Sequence, residues 1–396
     1  MSKIVYCWEL GGGYGHIGAF LPVAYELLRR RHDVTLVIKD LDQIETLIGS
    51  DELTFLQAPT RPASVTNLPP AMTYADILEN TGYTQTSALL TRSKAWRNLF
   101  DLLQPDLLIM DHSPTALLAA RTLNLPCTTF GVGFCLPPKL SPLPSLRPWL
   151  NTPEKQFVET EARVLKHINR VLVAFSCEPL TALHELFDVT EDFLCTLPEL
   201  DPYERKDVDY LGPHFNIRAV EPIWPEGNEP KIFAYLNTGY TDLGNLLQQL
   251  NKLPYRCLIH VFGLSAQVLD QFRSAKLKFA PEPIDVFLAA EQADLYIGHA
   301  GNNTSAAMLL SGCPQLLLPC HLEQLLIAKS LTELGTAVFT HAEGIQPDYG
   351  NLIKQILSEQ SYRENAQRLA KSYADFEQSK SKTKIADRCE TILAKL

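Results

Sequence analysis

The chain has no Cys-x-x-Cys pair; its nine cysteines are scattered and odd in number. That excludes the usual dithiol-redox and zinc signatures and fits reduced thiols in a cytoplasmic protein better than a disulfide scaffold. Positive charge is also scarce. With 35 Lys and Arg against 45 Asp and Glu, and a net charge of −10, the chain does not gather the cations that a nucleic-acid partner requires. No uninterrupted run of about 20 apolar residues exists, the length a membrane-spanning helix needs. Leu295 to Leu322 carries no Asp, Glu, Lys or Arg, yet Gly, Pro and Asn break it throughout, so it reads as buried sheet and loop. Met1 to Trp8 pass straight into a strand pattern without a secretory leader, and no internal repeat is visible. Asp40-x-Asp42 and Asp207-x-Asp209 have the spacing of metal-binding acids, but their surroundings read as surface, and no metal is expected.

What is present is ample apolar content, 46% of 396 residues, enough for two domains of about 100–200 residues each. Ile4 to Trp8 is a strand, Gly11 to Gly18 a glycine-rich loop, and Ala19 to Arg31 a helix with Leu21, Ala24, Leu27 and Leu28 at helical spacing. Val34 to Ile38 then completes a βαβ unit, the start of a parallel sheet covered by helices. Gly13-x-Gly15-x-x-Gly18 matches the dinucleotide fingerprint, and Asp40 stands where a ribose-binding acid belongs, so an NAD(P)- or flavin-dependent oxidoreductase is one reading. His16 argues against it, because a pyrophosphate bound there leaves no room for a bulky side chain.

Leu107 to Asp111 is another strand ending in an acid. Ser113 is the expected N-cap and Pro114 the first turn of a helix running to Leu123; Pro126 to Gly131 follows as a strand. Ligands of open parallel sheets gather beyond the carboxyl ends of the strands. His16 and Asp111 both lie at such ends, so they can meet as a general base and the carboxylate that orients it. His112 is an alternative partner, and a surface or capping role is the plainer reading of Asp111.

The second half centres on Leu295-Tyr-Ile-Gly-His299-Ala-Gly301-Asn302-Asn303-Thr304. An apolar strand breaks at Gly298, and a helix follows through Leu310, stopping before Gly312 and Pro314. A small-residue turn between strand and helix aims free amides and the positive helix end at one spot, an anion site. Thr304 adds a hydroxyl, and His299 is expected to donate to a phosphate oxygen. The plainer reading is an ordinary strand-turn-helix connection.

The pieces around this loop are Phe279-Ala-Pro281, His299-x-Gly301-x-x-Thr304, Ser311-Gly-Cys-Pro314-Gln, Leu317-Leu-Pro319, Glu323-Gln324 and Leu334-Gly335. Together with Gly15-His16 and Leu21-x-x-Ala24-x-x-Leu27, their order resembles the nucleotide-sugar-dependent glycosyltransferases of the GT-B fold. That family holds plant natural-product, bacterial macrolide and glycopeptide-antibiotic enzymes. The resemblance implies an α/β chain of two Rossmann-like domains whose parallel sheets face a central cleft. It implies an acceptor domain at 1–212, a linker at 213–230, a donor domain at 231–378, and a helix at 379–396 packing back on the first domain. It implies inverting transfer from a UDP- or dTDP-sugar to a hydroxyl of a small, apolar or lipid-like acceptor, without metal or cofactor. His16 is then the base and Asp111 its orienter. Phe279 lies against the nucleotide base; His299, Gly301, Asn302, Asn303 and Thr304, with Gly239 and Thr241, hold the diphosphate; Glu323 and Gln324 contact the sugar. Gly13, Phe134 and Leu136 fall on the acceptor side. Three positions depart from the family pattern: Ala307 where a ribose-gripping Glu is common, Asn303 where a second loop glycine is common, and Tyr240 where a Ser is usual. Ala307 and Tyr240 motivate a further reading, a catalytically silent helper that binds a partner protein through the proline-rich loop Phe134 to Trp149.

Phe134 to Trp149 is apolar and dense in proline, incompatible with a helix interior or a central strand. It is expected either to fold over an apolar acceptor, touch a membrane surface or partner, or pack on its own domain. Beyond it, a helix from Thr152 past Asn169 and a strand over Arg170 to Phe175 are expected.

Overall fold

The computed structural model describes the chain except residues 14, 43, 49–52, 62–67, 215–218, 265–267, 269–270, 273, 341–345 and 396. It forms two compact units, Met1–Phe215 with Gln378–Leu396, and Asn216–Glu377. The first is built on β1 (Lys3–Trp8), β2 (Asp33–Ile38), β3 (Thr54–Gln57), β4 (Leu107–Asp111), β5 (Cys127–Gly131) and β6 (Glu191–Leu194). They pair in the order β3-β2-β1-β4-β5-β6, every pair parallel. Ile4 to Trp8 is wholly buried, as a central parallel strand covered on both faces must be. The helix Gln378–Leu393 belongs to this unit: Ile385, Ala386, Cys389 and Ile392 join the core that buries Leu21, Ala24 and Leu27 of the helix Gly15–Arg29. Arg30 clamps its outer side through Asp387 and Glu390, both at 2.7 Å.

The second unit repeats the plan with β7 (Lys231–Asn237), β8 (Arg256–Phe262), β9 (Leu277–Phe279), β10 (Leu295–Gly298), β11 (Gln315–Leu317) and β12 (Ala337–Phe339). Their order is β12-β11-β10-β7-β8-β9, again all parallel.

Two expectations change. Arg170 to Phe175 is not a strand; a single helix spans Glu154–Ala174. Its buried residues Val164, Ile168, Val171 and Leu172 continue one stripe at helical spacing, and burial of that stripe overrides the local β-branched preference. Within 213–230, Val220 bridges to Ile284, so that stretch is tied to the second unit from Val220 onward; residues 215–218 of it lie outside the described residues.

Candidate active site

In the first sheet the chain leaves β1 toward β2 and β4 toward β5, in opposite directions, which opens a crevice at the carboxyl ends of that pair. Trp8 and Asp111 stand in register there. Gly11 and Gly13 adopt φ of 83° and 77°, the left-handed conformation that glycine takes without penalty. The turn therefore closes early, the helix begins at Gly15 rather than at Ala19, and His16 sits in its first turn. His16 Nδ1 lies 2.9 Å from Asp111 Oδ1, and the Tyr6 hydroxyl donates to Asp111 Oδ2 at 2.7 Å. The Trp8 indole stacks on the imidazole at 5.1 Å and 24°. Asp111 is 2% exposed and His16 16%, so the carboxylate is sealed while the ring still reaches solvent. A proton held on Nδ1 by the carboxylate leaves Nε2 as the basic nitrogen. A Cβ on Gly11 would lie 2.7 Å from that Nε2, so glycine is required there by close approach as well as by φ.

His112 is not the partner of Asp111. It turns out of β4 with a left-handed φ of 42°, its ring lies 6.1 Å from that of His16, and neither ring nitrogen has a partner among the described residues. Burial first, then the charges of His16 and Lys39, push it down to about 3, so it is neutral at ordinary pH. Ser113 does not cap its helix either. Glu9 does, accepting from the Thr115 amide at 2.8 Å and the Thr115 hydroxyl at 2.5 Å. Sequence alone hardly marks Glu9, whose only signal is an acid directly after an apolar strand.

Burial pushes Glu9 up to about 7, against the pull of its Thr115 hydrogen bonds. A raised acid binds its proton more tightly folded than unfolded, so its contribution to stability is full below the ordinary glutamate range and falls as pH rises toward 7. Glu9→Gln is expected to remove that decline. The stability difference between variant and wild type, from urea unfolding at pH 5 and pH 8, should shift in favour of the variant at the higher pH.

Of the expected acceptor positions, Gly13 is exposed with open space about its Cα. Phe134 packs edge-on against His112 at 6.4 Å, and both Phe134 and Leu136 are buried. Arg205 fastens this turn by donating to the carbonyls of Gly133 and Leu136 at 3.1 and 2.8 Å. The proline-dense loop packs on its own unit: Leu143 and Leu146 are fully buried, and the Leu146 amide and Arg147 guanidinium bond to Met72 and Ala71 carbonyls. Leu140, Trp149 and Leu150 stay exposed.

In the second unit the corresponding crevice lies between β7 and β10. His299 is buried, and both its ring nitrogens are used. Nδ1 donates to the Leu318 carbonyl at 3.0 Å, and Nε2 accepts the Asn237 amide at 3.1 Å. It therefore cannot donate to a phosphate in this state, contrary to expectation; it ties the ends of β7, β10 and β11 together. Ala300 then takes a left-handed φ of 58°, a cost of roughly 1–2 kcal/mol outside glycine. Gly301 is the N-cap of the helix Asn302–Leu310, with no side chain capping it. The first helical amides, of Asn302, Asn303 and Thr304, have no carbonyl within their own helix. Leu295 to Leu322 holds no Asp, Glu, Lys or Arg, so within this stretch the positive potential comes from the helix end.

Other donor positions fall into two groups. Gly239 and Thr241 are exposed in the turn after β7, where the Gly239 amide donates to Asn237 Oδ1 at 2.8 Å. Glu323 and Gln324 open the helix Leu322–Glu333, and Gln324 Oε1 accepts the Cys320 amide at 2.8 Å. Phe279, by contrast, is 6% exposed and packed into the core, so it offers no open face to a base. The Thr304 hydroxyl is hydrogen-bonded to the Tyr296 phenol, which turns it toward the sheet. A Cβ on Gly298 would overlap that phenol, 1.8 Å from its oxygen. Tyr240 bonds to Tyr349 at 2.5 Å, which donates to Asp242 at 2.7 Å. Its departure from the family pattern thus has a structural use.

Residues 266–392 match the family described as erythromycin biosynthesis protein CIII-like, C-terminal domain. The chain is 24% identical over 299 residues to a PGL/p-HBAD biosynthesis glycosyltransferase of Mycobacterium tuberculosis, covering 70% of this chain and 69% of that one. The crystal structure of CalG4, the calicheamicin glycosyltransferase, superposes with a TM-score of 0.74 at 16% identity, over 100% of this chain and 99% of that one. The glycosyltransferase VinC, solved with dTDP, gives 0.68 at 16% identity over 97% and 100%. The chain has the GT-B fold of these glycosyltransferases. In this fold the glycine loop leads into a helix whose first turn carries His16, against the open loop that a dinucleotide pyrophosphate would need. Of the paired acids, Asp209 is held by Lys384 at 2.7 Å and by Arg388, and Asp40 accepts the Asp42 amide at 2.9 Å. Among the described residues, no group of three or more His, Cys, Asp or Glu is placed to hold a metal ion.

Proposed function

We propose that this protein is a glycosyltransferase that transfers a sugar, with inversion, from a dTDP- or UDP-linked donor to a hydroxyl of a small apolar acceptor. The carrying observation is the 2.9 Å contact of His16 Nδ1 with Asp111. Nε2 removes the acceptor proton as the oxygen attacks the anomeric carbon, and Asp111 stabilises the imidazolium that forms. The nucleoside diphosphate leaves toward the amides that open the helix Asn302–Leu310. Their dipoles are fixed before charge develops, so they stabilise the leaving group without reorganising. Exposed Thr241 and the first-turn pair Glu323 and Gln324 belong to the same donor face.

Ala307 is fully buried and has no carboxylate to receive a ribose hydroxyl. That favours dTDP, whose ribose lacks the 2′-hydroxyl, and the neighbours VinC and SsfS6 were solved with dTDP and thymidine diphosphate. Thermal unfolding with dTDP and with UDP tests the donor. A true ligand at 100 times its Kd adds about 2.7 kcal/mol of stability. dTDP should shift the transition more than UDP at equal concentration; no shift with either nucleotide overturns the proposal. Turnover is expected to persist in EDTA, and the product's anomeric proton coupling should report inversion.

A further inference from the structure

The carboxylate that holds the His16 imidazole is engaged through both of its oxygens. Asp111 Oδ1 faces His16 Nδ1 at 2.9 Å, while Oδ2 accepts the Tyr6 hydroxyl at 2.7 Å. Tyr6 lies on β1, fully buried, its ring stacked on Phe20 at 4.1 Å and 11° and set edge-on to Phe130 at 6.4 Å. The phenol is therefore fixed in place and has little freedom to turn away. Gly131 keeps the other side of the carboxylate close: a Cβ there would lie 3.1 Å from Oδ1.

We propose that Tyr6 is a positioning residue of the transfer reaction, the third member of a Tyr6–Asp111–His16 relay that sets the basicity of His16. The inference rests on the reading of His16 as the base and adds a residue that no family motif pointed to. A neutral donor on Oδ2 draws electron density from the carboxylate, so Asp111 supports a proton on His16 less strongly than it would alone. Tyr6 thereby keeps the imidazole deprotonated, and so able to act as a base, at lower pH. Burial and the adjacent Asp111 charge raise the phenol well above its ordinary range, so it remains a donor throughout.

The surrounding titratable groups do not replace it. Asp111 comes from β4, His112 follows it, Cys7 lies on β1 and Cys195 follows β6, with Cys135 in the 133–135 turn and Lys39 after β2. Cys7 and Cys195 are raised by burial and His112 is pushed down to about 3, which leaves them neutral. Lys39 is held on the Gly11 carbonyl.

The test is a direct titration of His16 by NMR in full-length protein labelled at the histidine ring carbons, with His16→Gln assigning the resonance. Tyr6→Phe keeps the ring and its stacking and removes only the hydroxyl; His16 should then titrate at least about half a pH unit higher. 3-Fluorotyrosine installed at position 6, a stronger donor, should move it the other way, and it serves if Tyr6→Phe fails to fold. Superimposable titrations overturn the inference even if both proteins turn over. Unchanged sugar transfer by His16→Gln would instead overturn the assignment of the base, independently of where His16 titrates. A lowered Tm without a titration shift would mark Tyr6 as merely structural.

Discussion

His16→Ala is expected to lower kcat by roughly 10²–10⁴, the usual worth of a general base, while dTDP binding is nearly unchanged. The two halves of that expectation have separate physical origins. The ring contributes only when a proton must leave the acceptor hydroxyl, a transition-state event, so its loss falls on kcat. Its contacts include Asp111 and Trp8 at the ends of β4 and β1, whereas the amides proposed to receive the diphosphate belong to the other unit. The structural cost is small, because an imidazole still partly exposed leaves no large cavity. Steady-state kinetics paired with calorimetric titration of dTDP check it. Lost nucleotide affinity with preserved kcat would sink the assignment.

His299→Ala should show the opposite pattern. Removing the ring leaves the part-buried Asn237 amide without its imidazole acceptor and takes a donor from the Leu318 carbonyl; an unpaired buried group costs about 1–3 kcal/mol. The β7 turn and the helix mouth then lose their common tie. Nucleotide affinity is expected to fall roughly 10–100-fold, equivalent to about 1.4–2.7 kcal/mol, with kcat at saturating donor much less affected. The pH dependence has a definite sign. Burial lowers His299 below the ordinary histidine range, and protonating Nε2 would expel the Asn237 amide. Affinity in the wild type should therefore hold steady as pH falls to 6.5 and weaken only at lower pH. Calorimetry across pH 5 to 8 reads both effects, and a variant that binds dTDP as tightly as wild type would remove His299 from the donor site.

Much of this site could be read along the chain. Glycines at 11 and 13 announced a tight turn, and the strand ending at Asp111 announced an acid at a sheet edge. Position alone made a meeting with His16 possible across 95 residues. Sequence position says less where a side chain's role depends on which way it points. Phe279 and Thr304 stand at the expected places in sequence but face the core and the sheet. Arg170 to Phe175 has strand-like residues and is helix, because a stripe begun at Thr160 reaches Leu172.

The sequence by itself determined the alternation of strands and helices, the two-domain layout, and which loops carry small residues at strand ends, since these follow from local periodicity and turn chemistry. Only the tertiary structure decided that Tyr6 shares Asp111 with His16, that Glu9 rather than Ser113 caps the helix Pro114–Arg121, and that His299 spends both nitrogens on backbone. Each of those is a hydrogen bond between groups far apart in the chain. Its partner is fixed by sheet register and by the need to satisfy every buried polar atom, and neither constraint is written in the neighbouring residues.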